Sequence, residues 1–147
     1  MPNKETLNEQ AEIVKSSEGL PEKERIRIAN DFVHESIVYE DDYKVYGVPE
    51  YWATYNEIKS LLRDDCDGYA VYLWSLVVRE MGVSSDHFRM IILNHLHLWH
   101  MACLYLPEGK PEYLVDPTWG WFIKIKDPQN KWKPYASFDL KKEWSHS

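Results

Sequence analysis

Ten consecutive residues, Tyr69-Ala70-Val71-Tyr72-Leu73-Trp74-Ser75-Leu76-Val77-Val78, carry no charge and only one small hydroxyl among apolar and aromatic side chains. No other stretch constrains the fold as strongly. The run is too short to span a membrane, which takes about 18 or more apolar residues. A helix apolar on so many sides is a buried helix. It opens at Asp65-Cys66-Asp67-Gly68 and runs to about Met81, where Gly82 stands as a stop just past its end. The rest of the chain must therefore supply the elements that cover it.

Two helices precede it. Leu7, Ala11 and Val14 recur at helical spacing over residues 5–17. Pro21 fits the first turn of a second helix, whose apolar stripe is Ile26, Ala29, Phe32, Val33 and Ile37. Residues 40–56 read as irregular, and a short helix is expected over 57–62. After Gly82 the pattern changes to β-rich runs at 88–93, 99–106, 112–116 and 121–125. Pro107-Glu108-Gly109-Lys110-Pro111 reads as a turn joining two antiparallel strands. Helices first and strands later predict an α+β fold. The 147 residues fit one domain. Its core is expected over about 21–126, behind the N-terminal helix 5–17 and ahead of an irregular, surface-lying tail over 127–147, where Pro128, Asn130 and Pro134 fall.

Composition narrows the function classes. A net charge of −7 argues against nonspecific nucleic-acid binding. Two cysteines, Cys66 and Cys103, do not make a disulfide scaffold. Met1 to Gln10 is polar and lacks the apolar centre of a secretory signal, so a cytoplasmic location is expected.

Cysteine, histidine and carboxylate occur in an order that suits thiol chemistry. Cys66 falls in the first turn of the buried helix, where free backbone N–H groups and the helix dipole favour a thiolate. Cys103, mid-strand between Met101 and Tyr105, reads as core filler. Strand period puts His100 on the face of Ala102 and Leu104, whereas His95 and His97 share a face near a turn. A rival reading gathers these three histidines around a metal, although their spacing matches neither a helical pair nor the usual zinc patterns. Asp116 precedes Pro117 and could be a plain turn opener. Counted from Gly109, however, His100 lies nine residues before the turn's centre and Asp116 seven after it. The returning strand thus brings the carboxylate within reach of the imidazole, as a triad's third member requires.

The segment Tyr46-Gly47-Val48-Pro49-Glu50-Tyr51-Trp52-Ala53-Thr54, then Glu57, then Asp65-Cys66-Asp67-Gly68-Tyr69-Ala70 resembles the bacterial transglutaminase-like cysteine proteinases. Gly82-Val83, His100 and Asp116 continue the match, which covers roughly residues 40–120. Val115-Asp116-Pro117-Thr118-Trp119 is closer to the wider transglutaminase-like superfamily. The chain departs from the proteinase pattern at Asp64, where the family has Gly, at Asp67, where Glu is usual, and at Gly68, where a second acid is usual. The resemblance implies a papain/transglutaminase-like core, with the cysteine helix packed on an antiparallel sheet that carries His and Asp. It also implies that Asp65 and Asp67 are candidate calcium ligands, as in the family's calcium-dependent branch.

Those aspartates admit two physical readings. Facing the sulfur they would oppose the thiolate, but helical spacing turns Asp65 and Asp67 away from it. Asp64 or Asp65 would then cap the helix, or the acids would supply oxygen ligands to Ca2+.

The expected activity is hydrolysis of an amide bond in a protein or peptide substrate, with Cys66 as nucleophile, His100 as base and acid, and Asp116 orienting the ring. The triad itself needs no cofactor. The backbone N–H of Cys66 is one oxyanion donor, and Trp52 or Asn56 is a candidate second. Acyl transfer to an amine would use the same residues. A noncatalytic papain-fold binding domain is the alternative from a different class.

Overall fold

The computed structural model describes residues 4–36, 66–109, 111–139 and 142–145. Helix α1 (Lys4–Ser17) has Glu5 in its first turn and Lys15 in its last, which complements the helix dipole. Helix α2 (Glu22–Ser36) starts directly after Pro21, whose fixed φ suits a helix entrance. Ile26, Ala29, Phe32 and Val33 form its buried stripe, as their spacing predicts. The expected helix at 57–62 lies outside the described residues.

Helix α3 (Cys66–Trp74) opens at the cysteine. Every side chain from Tyr69 to Val77 is buried. From Ser75 to Glu80 the helix widens into a π-helical segment, with the Met81 N–H donating to the Leu76 carbonyl at 2.9 Å. The predicted span to Met81 is thus continuous, but its last turns are not α-helical.

Among the described residues six strands follow: β1 (Phe88–His95), β2 (Leu98–Tyr105), β3 (Tyr113–Asp116), β4 (Trp121–Lys124), β5 (Lys133–Phe138) and β6 (Glu143–Ser145). They form one sheet in the order β4-β3-β2-β1-β5-β6, with every neighbouring pair antiparallel. The α+β expectation, with helices packed on an antiparallel sheet, describes this architecture.

Period two divides the sheet's side chains between two cores. Met90, Ile92, Met101, Cys103, Val115 and Phe138 face the helices and join the main core with α2 and α3. Ile91, Leu93, Ala102, Leu104, Leu114 and Trp132 make a smaller core on the other face, where Trp119 and Trp121 pack against them.

The C-terminal region is not the irregular tail that its prolines imply. β5 pairs along β1, and β6 pairs on β5. Trp132, Ser137, Phe138 and Asp139 are buried. The partners of β1 step from Ile92↔Ala136 to Leu93↔Pro134, so Tyr135 has no direct partner and the ladder is bulged there. Proline, which lacks the N–H a ladder needs, is tolerated at such an irregularity. Turn-forming residues before it concealed the strand.

Candidate active site

Strands β2 and β3 pair as Cys103↔Val115 and Leu104↔Leu114. Continuing that register sets Asp116 opposite Ala102, and His100 lies two residues further along the same face. Such diagonal neighbours are within reach of long side chains. His100 Nε2 donates to Asp116 Oδ2 at 2.7 Å, and both side chains are fully buried. The second carboxylate oxygen, Oδ1, accepts the Thr118 N–H at 2.9 Å. A carboxylate held from both sides can only accept, so the imidazole carries its proton on Nε2 when neutral. Its other nitrogen, Nδ1, is buried and has no hydrogen-bond partner among the described residues.

Two tryptophans pack on the imidazole. Trp119 stacks on His100 at 4.6 Å between ring centroids, and Trp132 lies tilted at 5.1 Å. They limit water's access to the His–Asp bond, which strengthens it. Sequence reasoning missed both. The only available signal was the position of Trp119, three residues after the carboxylate. On their outer side the same two rings wall a groove of about 560 Å³ with His95, Leu98, Trp121 and Lys131.

Strand β3 ends at Asp116, so the portion of β2 that carries His100 has no β3 partner. Helix α3 packs on the face opposite to His100. The Cys103 thiol approaches the Ala70 carbonyl at 3.4 Å, and the Trp74 indole N–H donates to the Phe88 carbonyl at 3.0 Å. Phe88 pairs with Tyr105. The helix therefore advances from Cys103 toward Tyr105 as it runs from Ala70 to Trp74, in the same direction as β2. Its first residue, Cys66, lies at the end nearer His100 along the strand.

Cys103 is fully buried in the core, as its position predicted. Burial, and after it the charge of Asp116, push its thiol well above the ordinary range. His95 and His97 lie at the β1–β2 hairpin. His95 meets Trp132 edge-on at 5.8 Å, and neither residue joins His100. No group of three metal-ligating side chains occurs among the described residues. Trp52, Asn56 and Asp65 lie outside the described residues, as do the side chains of Cys66 and Asp67. No described helix is long and apolar enough to cross a membrane.

No protein-family model matches the chain, and no curated protein sequence matches it. Solved structures do match. EGTA-treated LapG of Legionella pneumophila is 18% identical, with a TM-score of 0.72 over 97% of this chain and 77% of that one. Calcium-bound LapG of the same organism is 22% identical, with a TM-score of 0.71 over 96% and 78%. At these identities the likeness is one of fold, and that fold is papain/transglutaminase-like.

Proposed function

We propose that this chain is a thiol-dependent hydrolase that cleaves an amide bond in a protein or peptide substrate, with Cys66 as nucleophile, His100 as general base and acid, and Asp116 as the group that orients His100. The observation that carries this reading is the buried His100–Asp116 pair, whose remaining nitrogen has no partner among the described residues. A satisfied core histidine would use both nitrogens. One whose second nitrogen has no partner among the described residues, while the first is held by a carboxylate, is arranged to accept a proton. The course of α3 along β2 and the family resemblance support Cys66 as the donor of that proton.

In the reaction, His100 Nδ1 takes the Cys66 proton and the sulfur attacks the amide carbonyl carbon. The carbonyl π pair moves to oxygen, where the N–H of Cys66 donates to it, because the first N–H groups of a helix have no intrahelical acceptor. As the tetrahedral centre collapses, the imidazolium gives its proton to the amide nitrogen, the C–N bond breaks and the amine leaves. Water then gives a proton to Nδ1 and attacks the thioester. Collapse of the second tetrahedral centre breaks the C–S bond, releases the acid and restores the thiol. Through both halves Asp116 holds the ring and stabilises its positive charge. Trp52 and Asn56 remain the candidates for a second oxyanion donor.

LapG has been solved with calcium bound, and calcium is a candidate cofactor here. Asp65 and Asp67 offer the hard oxygen donors that Ca2+ takes. Bound by them, the ion would fix the chain around the opening of the Cys66 helix. No step of the reaction passes through it.

The test is selective alkylation. Iodoacetamide at low concentration should modify Cys66 far faster than the buried Cys103, with an apparent pKa well below the roughly 8.5 of a free thiol, and His100→Ala should slow Cys66 and raise its apparent pKa toward that value. Capture of cleavable peptides by Cys66→Ala would then identify the substrate. Equal, slow labelling of both thiols in the folded chain would overturn the enzymatic reading.

A further inference from the structure

The five residues that follow Asp116 are attached to helix α2 at both ends. The Asn30 amide, fully buried, donates through Nδ2 to the Trp121 carbonyl at 3.0 Å. One helical turn later, His34 Nδ1 bonds the Pro117 carbonyl at 2.9 Å. A carbonyl only accepts, so His34 carries a proton on Nδ1. Residues four apart on a helix lie on one face. Asn30 and His34 thus form a pair of donors that brackets the segment from Pro117 to Trp121.

The segment is fitted to that face. Gly120 has φ +74°, and a Cβ there would stand 3.1 Å from His34 Cδ2, so the backbone lies against the imidazole and a side chain would press on the ring. Asn30 makes this attachment at a cost, because its buried Oδ1 has no partner among the described residues. An apolar side chain would avoid the penalty of an unsatisfied buried acceptor.

What the segment carries gives the attachment its meaning. Immediately before it is Asp116, whose Oδ1 accepts from the Thr118 N–H within the segment. At its centre is Trp119, stacked on His100. The two groups that set the orientation of His100 therefore lie on one short loop that α2 holds from behind. We infer that Asn30 and His34 are positioning residues: they hold the Asp116–Trp121 loop so that carboxylate and indole together fix the His100 ring in its Nε2–H tautomer. Asn30 and His34 bond to the loop rather than to His100, and each acts through the loop.

This inference rests on the reading of His100 as a general base, and the experiment keeps the two apart. Nitrogen-15 NMR of the imidazoles reports the His100 tautomer whether or not the chain is catalytic, and iodoacetamide reports Cys66. In wild type, His100 should appear as a single Nε2–H tautomer. In His34→Ala and Asn30→Ala that signal should give way to exchange between tautomers, and Cys66 alkylation should slow about tenfold or more. His34→Asn, which returns an amide donor near the Nδ1 position, should restore both. If one alanine variant does not fold, the other carries the test. Folded alanine variants that melt earlier but keep the wild-type tautomer and Cys66 rate would overturn the inference, because a merely structural role moves only the melting temperature. If His100→Ala leaves Cys66 alkylation unchanged, the catalytic reading fails, while the tautomer spectra still decide the role of α2.

Discussion

His100 and Asp116 stand sixteen residues apart in the chain and one diagonal step apart across two antiparallel strands, their side chains joined at 2.7 Å with no exposure to solvent. The hairpin register aligns the two residues, and the contact of the Asp116 carboxylate with the Thr118 N–H fixes which of its oxygens the ring meets.

Replacing Asp116 with Asn keeps the shape and removes the charge. The Asn amide can donate to Nε2, which would move the imidazole proton to Nδ1 and take away the base. Peptide hydrolysis is expected to fall about ten-thousand-fold in kcat, the scale set by the corresponding change in serine proteases, with little change in the circular dichroism spectrum. Asp116→Ala leaves a buried imidazole without its partner and should cost about 3 kcal/mol or more in denaturant unfolding.

The buried Cys103 thiol predicts an alkaline limit to stability. Its ordinary value is near 9.0, and burial, then the nearby Asp116 charge, hold it well above that in the folded chain. Above about pH 9 the unfolded chain releases this proton while the folded chain retains it. The folded state is then favoured less as pH rises, by about 1.4 kcal/mol per pH unit. Below pH 9 the group contributes no pH dependence. Urea unfolding from pH 8 to 10 should show this slope in wild type and lose it in Cys103→Ala. Tyr105, raised by burial and by its bond to Glu22, adds a similar fall only above pH 10.

Two glycines separate backbone strain from steric fit. Gly109 and Gly120 both have positive φ, +69° and +74°, but a Cβ at Gly109 meets nothing within 4 Å, whereas one at Gly120 meets the His34 ring. Gly109→Ala should cost about 1–2 kcal/mol from its left-handed backbone alone. Gly120→Ala should cost more and should also slow Cys66 alkylation. Thermal melts of the two variants, with the alkylation rate measured on each, check both parts.

Calcium held by Asp65 and Asp67 would stabilise the folded chain by mass action, about 2.7 kcal/mol at a free concentration one hundred times Kd. Melting should shift upward with Ca2+ and return with EGTA, and Asp67→Asn should remove the shift. Melting curves that superimpose with Ca2+ and with EGTA at every concentration tried would eliminate the metal.

Local patterning made the helices and the first four strands legible. The stripe from Ile26 to Val33, the apolar run after Cys66 and the strand periodicity each report burial of one face. The turn at Gly109 even aligned Asp116 with His100. By contrast, Lys133–Phe138 looked irregular, because Pro134 follows a stretch rich in turn formers. What makes it a strand is the exposed edge of β1, a partner some forty residues away in the chain. Local propensity does not register such a partner.

The sequence by itself determined an α+β chain with a buried helix opening at Cys66 and a hairpin that carries a histidine and an aspartate. Only the tertiary structure decided what surrounds that histidine. Trp132 reaches it from the connection between β4 and β5, and Asn30 and His34 brace its neighbours from α2. Hydrophobic period and helix capping act over a few residues, so they are written locally. The protonation geometry of one imidazole depends on groups brought together from four separate parts of the chain, and only the packed fold determines their positions.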